Sequence, residues 1–356
     1  MCNIAGYVGT ENAAGVLIGM LGREEGFDGG YYTGIATIHH GKIAWEKKTG
    51  ALYTLLAETK AASLGGKIGI IHSRSKSGGG DEWAHPFLDG KGAEPRLAYI
   101  ANGGAGCCAD RMVPNVALAE QLMAEGFVFS SRIYTEKGKY TELPDGSAVH
   151  MSDLMCQLCM KYVEAGSSVD KAMEQAFLEA PAEIVGLTIH RDIEDKIFFA
   201  RYNYPLFAGF APDGGYLAST PLAFPETVTR VMPIPACTSG YITKDALYLT
   251  GFKDKAPFTI AEVDARVMKE GYDLICSLLS EKAYNNLDLR NAVKPLFDKA
   301  DTSEPLMLLH GVYAALRKQG RLDISVRMLP GVFEGLEAPK FFMQLKAPAQ
   351  GEETAE

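Results

Sequence analysis

The sequence has no run approaching the ~18 consecutive apolar residues of a membrane-crossing helix. Nor does a basic segment precede an apolar stretch at its amino terminus, so neither a membrane span nor a secretory leader is expected and a cytoplasmic location is. A basic excess is also missing: 35 Lys and Arg stand against 44 Asp and Glu, a formal net charge of −9. A field of that sign opposes attraction to a phosphate backbone, which argues against nucleic acid as a partner. The seven cysteines are an odd number and suit reduced thiols better than a disulfide framework. Cys156 and Cys159 lie one helical turn apart, but no second Cys-x-x-Cys or paired His follows, so helix packing is expected there and no metal site. The glycine-rich residues 77–80 lack the Lys-Ser/Thr of a phosphate loop and read instead as a lid over a site.

What is present suits a folded chain of two units. Over 356 residues, 47% are hydrophobic and 22% charged, enough to bury one large core and a smaller one. Short apolar, Gly-bounded segments at 3–10 and 33–38 read as buried strands, with helical spacing between them. Further strand candidates fall at 43–47, 67–72, 97–101, 184–190, 196–201, 206–210, 215–219, 229–234 and 240–243, interrupted by helical patterns near 115–125, 151–165 and 169–179. Many strands with helices in blocks predict an α+β fold of two packed sheets covered by helices. Gly, Pro and charge at 251–259 mark a linker. Helical patterns at 260–282, 288–299 and 304–319 then precede two strand-like segments, the order of a small winged-helix domain. The expected division is 2–250, a linker at 251–259, a helical unit at 260–346 and a disordered polar tail at 347–356.

Cys2 is the sharpest chemical feature. Removal of Met1 would leave one residue bearing both a thiol and a free α-amine. That amine titrates at about 7.7–8.0, low enough to accept the thiol proton near neutral pH, where a lysine amine at about 10.4 is a poorer acceptor. The strand that follows would fix this terminus against a sheet. Taken alone, Met-Cys also describes an ordinary buried thiol.

The opening "MCNIAGYVG" resembles the start of the class II glutamine amidotransferases, which begin Met-Cys-Gly-Ile and continue into a Gly-containing strand. Three later segments match that family in order: "GIIHSRSKSGGG" is similar to its His-Thr-Arg segment, "WAHPF" to its Ala-His-Pro and "IANGGAG" to its His-Asn-Gly. "ARYNYPLFAGF" and "GYLASTPLAF" extend the likeness to about residue 250. The resemblance implies a four-layer αββα sandwich, the N-terminal-nucleophile hydrolase fold, with helices outside two antiparallel sheets. It also implies Cys2 as nucleophile, with Asn102 and the Gly103 N–H as donors to the oxyanion. Arg74 is implied as the grip on the substrate carboxylate, Ser77 as its assistant and His85 as a residue shaping the pocket. No organic cofactor or metal is implied.

Departures from the family pattern bear on specificity. Tyr134 stands where the family places an Asp for the substrate ammonium, Asp28 where it has an Arg, Ser75 where a Trp is common and Ala101 where a His precedes the Asn. The function expected is hydrolysis of a glutamine-like side-chain amide through a Cys2 thioester, with ammonia passing to a separate acceptor protein or to solvent. After residue 250 about a hundred residues remain, without a glycine-rich phosphate signature. The alternatives are an N-terminal-nucleophile amidohydrolase acting on an amide without a free α-amine, and a non-catalytic relative that binds a ligand or partner. A homo-oligomer is left open.

Overall fold

The computed structural model describes residues 2–135, 142–297, 300–303 and 305–346. β1 (Asn3–Gly9) is buried almost throughout, as a central strand must be when both faces carry packed layers. Asn12 then caps α1 (Ala13–Asp28), its Oδ1 accepting from Gly15 N at 3.2 Å. β2 (Tyr32–His39) and β3 (Lys42–Thr49) form a hairpin, α2 (Leu52–Glu58) follows, and β4 (Ile68–Arg74) lies between β1 and β2. β5 (Phe87–Leu88) and β6 (Leu97–Gly104) begin a second sheet. α3 (Met112–Ala124), α4 (Met151–Glu164) and α5 (Val169–Glu179) come next, and then β7 (Glu183–His190) and β8 (Ile193–Arg201) extend that sheet. β9 (Phe207–Ala211), β10 (Gly214–Ala218) and β11 (Arg230–Pro233) return to the first sheet, while β12 (Thr238–Ile242) and β13 (Leu247–Gly251) close the second.

The sheet orders are β11-β9-β10-β1-β4-β2-β3 and β13-β12-β8-β7-β6-β5. Between them Ile4, Val8, Ile38 and Ile70 of one sheet meet Ile100, Leu187, Ile197 and Phe199 of the other. On the outer face of the first sheet, Ala5, Tyr7 and Ile71 pack against Leu17, Met20 and Leu21 of α1 and Leu55 of α2. On the outer face of the second, Tyr99, Phe198 and Ala200 pack against Met155 and Leu158 of α4 and Phe177 of α5. This is the expected α+β sandwich of four layers. Each large apolar side chain it fully buries contributes about 1.5–3 kcal/mol relative to exposure.

The remaining residues form β14 (Ile260–Ala261), α6 (Ala265–Glu281), β15 (Tyr284–Asn285), α7 (Asn286–Val293), β16 (Thr302–Ser303), α8 (Pro305–Lys318), β17 (Leu322–Pro330) and β18 (Glu337–Leu345). β17 and β18 pair as a hairpin, with β15 on the other side of β18. Their core takes in Phe27 and Leu222 from the sandwich, alongside Ile275, Leu289, Leu309, Tyr313 and Phe341. The two parts of the chain thus share apolar contacts.

Two local expectations are corrected. Leu247–Gly251 is a strand that the sequence pattern did not reveal, because it is an edge strand with mostly exposed side chains and no buried alternation to detect. The helix expected at 288–299 starts at Asn286 and gives way after Val293 to a 3-10 turn, Lys294–Leu296, at Pro295, whose ring cannot continue an α-helix. The tail expected at 347–356 lies outside the described residues.

Candidate active site

Cys2 immediately precedes β1, so the ladders on both sides of that central strand fix its place at one end of the sandwich. The facing sheet contributes Asn102, on β6. Cys2 N donates to Asn102 Oδ1 at 3.0 Å, and both residues are buried. That nitrogen is a peptide N–H in the full sequence and would be the α-amine once Met1, which lies outside the described residues, is removed. Cys2 Sγ lies 4.0 Å from Ser75 Oγ. The strand that carries Asn102 is held just before it. His72 Nε2 lies 3.0 Å from Ala101 O, and a carbonyl only accepts, so Nε2 bears the proton. Burial pushes the His72 imidazole down to about 3, leaving it neutral.

Gly103 follows in a conformation that side chains rarely adopt, with φ +139°, and a Cβ there would stand 2.1 Å from Glu183 O. Only glycine lets β6 run this close to β7. Its neighbour Gly104 is also exposed, so an edge of backbone beside Asn102 is open to solvent.

Arg74, at the end of β4, is buried. Its guanidinium stacks 4.5 Å from the Tyr32 ring centroid and donates to Gly78 O at 3.1 Å and Trp83 O at 3.3 Å. The cation is therefore tied to the loop that follows it. Ser77 turns back on that loop, its hydroxyl donating to Ser75 O at 3.2 Å. Tyr32 OH donates to Gly79 O at 3.1 Å, and Trp83 Nε1 donates to Ser131 O at 2.7 Å. The segment read from sequence as a lid is thus pinned at several points.

The two remaining expected residues have contrasting surroundings. His85 is wholly buried, its ring 3.8 Å from that of His72 and 4.7 Å from that of Phe87, and neither ring nitrogen has a partner among the described residues. It is a packing residue of the core behind Arg74, held neutral by burial and by its imidazole neighbours His72 and His150. Tyr134 is 60% exposed, with its hydroxyl donating to Asp145 Oδ2 at 3.2 Å. The cause is local. Ile133 pairs with Ala148 in an isolated bridge and is partly buried, and alternation along an extended backbone then turns Tyr134 to water. Asp153 holds the preceding turn by accepting from Ser131 N at 2.9 Å and Ser131 Oγ at 2.8 Å.

Sequence reasoning missed the contacts between the sandwich and the C-terminal part of the chain. Asp28 N donates to Asn3 Oδ1 at 3.3 Å, and the Asp28 carboxylate accepts from Asn286 Nδ2 of α7 at 2.6 Å. A cleft of about 20 Å³, room for one water-sized molecule, is lined by Glu183, Asn203 and Tyr204 of the sandwich and Arg290 of α7. Burial pushes the Tyr204 hydroxyl up to about 12, with Arg290 opposing and Glu183, Cys2 and Asp28 reinforcing. Asp28 was marked only as a departure from the family pattern and Asn203 and Tyr204 only as part of a matched segment; nothing in the sequence marks Glu183, Asn286 or Arg290, or which residues meet, because each contact joins segments far apart in the chain. Among the described residues no group of three His, Cys, Asp or Glu side chains could hold a metal ion, and no helix is long and apolar enough to cross a membrane.

Two antiparallel sheets between helical layers, with residue 2 at the end of a central strand against an asparagine of the facing sheet, are the architecture of the N-terminal-nucleophile hydrolases. No family profile matches the sequence. The isomerizing glutamine–fructose-6-phosphate aminotransferase of Leifsonia xyli subsp. xyli is 31% identical over 282 residues, covering 76% of this chain and 41% of that protein. Its namesake from Thermosynechococcus vestitus is 26% identical over 320 residues, covering 86% and 46%. A solved glutamine phosphoribosylpyrophosphate amidotransferase from B. subtilis, complexed with ADP and GMP, shares the fold with a TM-score of 0.57 at 17% identity, covering 76% of this chain and 52% of that one. The chain belongs to the class II glutamine amidotransferase family. It spans less than half the length of these two aminotransferases.

Proposed function

We propose that this chain hydrolyses the side-chain amide of glutamine, or of a closely similar amide, through a thioester on Cys2, and that the ammonia passes to a separate acceptor protein or to solvent. The contact between Cys2 N and Asn102 Oδ1 carries this reading. Because Oδ1 accepts from the residue-2 nitrogen, the Asn102 Nδ2 hydrogens are turned away from it and remain available to a substrate oxygen.

In the proposed reaction the α-amine takes the Cys2 thiol proton and Sγ attacks the amide carbon. The carbonyl oxygen becomes an anion that accepts from Asn102 Nδ2 and Gly103 N–H, donors worth about 2.7–4 kcal/mol each in such sites. The C–N bond breaks as the α-ammonium returns its proton to the leaving nitrogen, and ammonia departs. Water then adds to the thioester, the amine takes a proton from it, and the C–S bond breaks to release the acid and restore the thiol. No organic cofactor enters. Arg74 meets the substrate carboxylate by exchanging the Gly78 carbonyl for it, with Ser77 on the same loop.

A second reading, an amide without a charged α-nitrogen, draws on the exposure of Tyr134 and on the absence of any carboxylate from residues 127–135. One experiment tests both readings. Intact-mass spectrometry with a glutamine-mimicking electrophile is expected to find Met1 absent and a single adduct on Cys2, while hydrolysis assays compare glutamine with an α-N-acyl glutamine. A protein that retains Met1 and is still active overturns the thioester mechanism.

A further inference from the structure

Asp28 ends α1 beside the nucleophile, and two different parts of the chain hold it. On its backbone side, the N–H donates to Asn3 Oδ1 at 3.3 Å, so the residue that follows Cys2 is tied to the end of the helix. On its carboxylate side, Asn286 Nδ2 donates to Oδ2 at 2.6 Å, and Asn286 Oδ1 accepts from the Tyr313 hydroxyl at 3.1 Å. Asn286 and Tyr313 are both fully buried, so water cannot replace either bond. Asn286 itself is well placed: it opens α7, whose N-terminus is capped by Asn285 Oδ1 accepting from Asp288 N at 3.1 Å. β18 braces the same corner, with Lys340 Nζ donating to Phe27 O at 3.0 Å. The result is a continuous chain of contacts from α8 through α7 and α1 to the residue next to Cys2.

We propose that the C-terminal part of the chain positions the nucleophile, with Asn286 and Asp28 setting the place of Cys2 through Asn3. This rests on the reading of Cys2 as nucleophile given above. Asn286 and Asp28 touch no reacting atom and are positioning residues. The physical need is plain: a nucleophile on a chain terminus has covalent restraint on one side only, and termini are poorly ordered unless tied down. Its advantage as an intramolecular reactant depends on placement to within about an ångström, a displacement that can cost on the order of 10²-fold in rate. The contact also gives Asp28 a use that needs no substrate cation.

The test turns on donor and acceptor direction. Asn286→Asp sets two carboxyl groups against each other across the 2.6 Å contact. Combining it with Asp28→Asn restores one donor and one acceptor in reverse. The readouts are the rate constant for labelling of Cys2 by a glutamine-mimicking chloroketone, and kcat and KM for glutamine, each measured well below the thermal midpoint of each protein. Asn286→Asp is expected to slow labelling and kcat on the order of 10- to 100-fold with KM little changed. The exchanged pair is expected to recover most of both. Should Asn286→Asp fail to fold, Tyr313→Phe carries the test by removing only the hydroxyl that orients Asn286, with the same direction of effect. A wild type whose Cys2 resists the chloroketone overturns the nucleophile reading and this inference with it. A reactive wild type with an equally reactive Asn286→Asp, or an exchanged pair as slow as the single variant, overturns this inference alone.

Discussion

Gly26 of α1 and the ring of Phe341 of β18 are in direct contact, and a Cβ at position 26 would stand 2.1 Å from Phe341 Cδ1. The absence of a side chain at one helix position therefore sets how closely the C-terminal hairpin lies on the sandwich. Phe27 beside it packs edge-on against the same ring, with centroids 5.1 Å apart.

This contact reverses an ordinary expectation. Inside a helix, Gly to Ala is normally worth about 1 kcal/mol in favour of Ala. Here the added methyl must displace Phe341 or bend α1, and overpacking of that kind costs about 1–3 kcal/mol. Gly26→Ala is expected to lower the thermal midpoint, as read by calorimetry. A rise would show that the hairpin yields easily and that the two parts of the chain are loosely joined.

On the proposed mechanism both nucleophile and base sit on residue 2. Cys2→Ala is expected to abolish glutamine hydrolysis, and Cys2→Ser to retain little of it, because a hydroxyl is a far weaker nucleophile than a thiol near neutral pH. The fold should survive in both, since Cys2 lies outside the ladder of β1. Steady-state assay of glutamate release alongside a melting curve decides the matter. Hydrolysis surviving in Cys2→Ala would move the reaction to another residue.

Asn102→Ala is expected to lower kcat by about 10²–10³ while leaving KM within a few-fold, because a bond to the oxyanion forms mainly in the transition state. The same change removes the acceptor for Cys2 N, so the acid limb of the pH–rate profile should also move. An effect on KM alone would assign Asn102 to ground-state binding.

How far these features were legible in the sequence depends on how local they are. The buried strands β1 and β4, the amphipathic helices α4 and α5 and the sandwich they build follow from short-range periodicity, whereas the edge strand β13 has no buried face to betray it. Cys2, Asn102 and Gly103 were singled out through ordered motifs, and the structure brings Cys2 and Asn102 together. The orientation of Tyr134 was not readable, because a bridge between Ile133 and Ala148 decides it. The same holds for the burial of His85, which is set by two other imidazoles and a Phe. Asp28 stood out as a departure, but its partner lies 258 residues away and nothing in either segment announces the pairing.

The last prediction concerns a buried carboxyl group one layer behind the site. Glu25 Oε1 accepts from Ser73 Oγ at 2.8 Å, Thr33 Oγ1 at 3.2 Å and Leu52 N at 2.9 Å, and Ser73 Oγ in turn accepts from Gly30 N at 2.7 Å. Burial pushes the group from 4.5 up to about 7, with those hydrogen bonds opposing the rise only in part. Below pH 4.5 the folded and unfolded chains both hold the proton. Between 4.5 and 7 only the folded chain holds it, so this stabilising contribution falls as pH rises and is gone above 7, a change of about 3 kcal/mol. The buried imidazoles act in the opposite sense: His72 and His310, both pushed down by burial to about 3, lose their contribution as pH falls below 6.5. Wild-type stability therefore sums two opposed slopes, and a variant is needed to separate them. Glu25→Gln keeps an acceptor for the three donors and removes the titration. Its midpoint relative to wild type is expected to be near zero or lower at pH 5 and several degrees higher at pH 8, measured by calorimetry across that range. A difference independent of pH would show that Glu25 is ionised in the folded protein at every pH sampled and that the Ser73 and Thr33 hydroxyls suffice to hold it so.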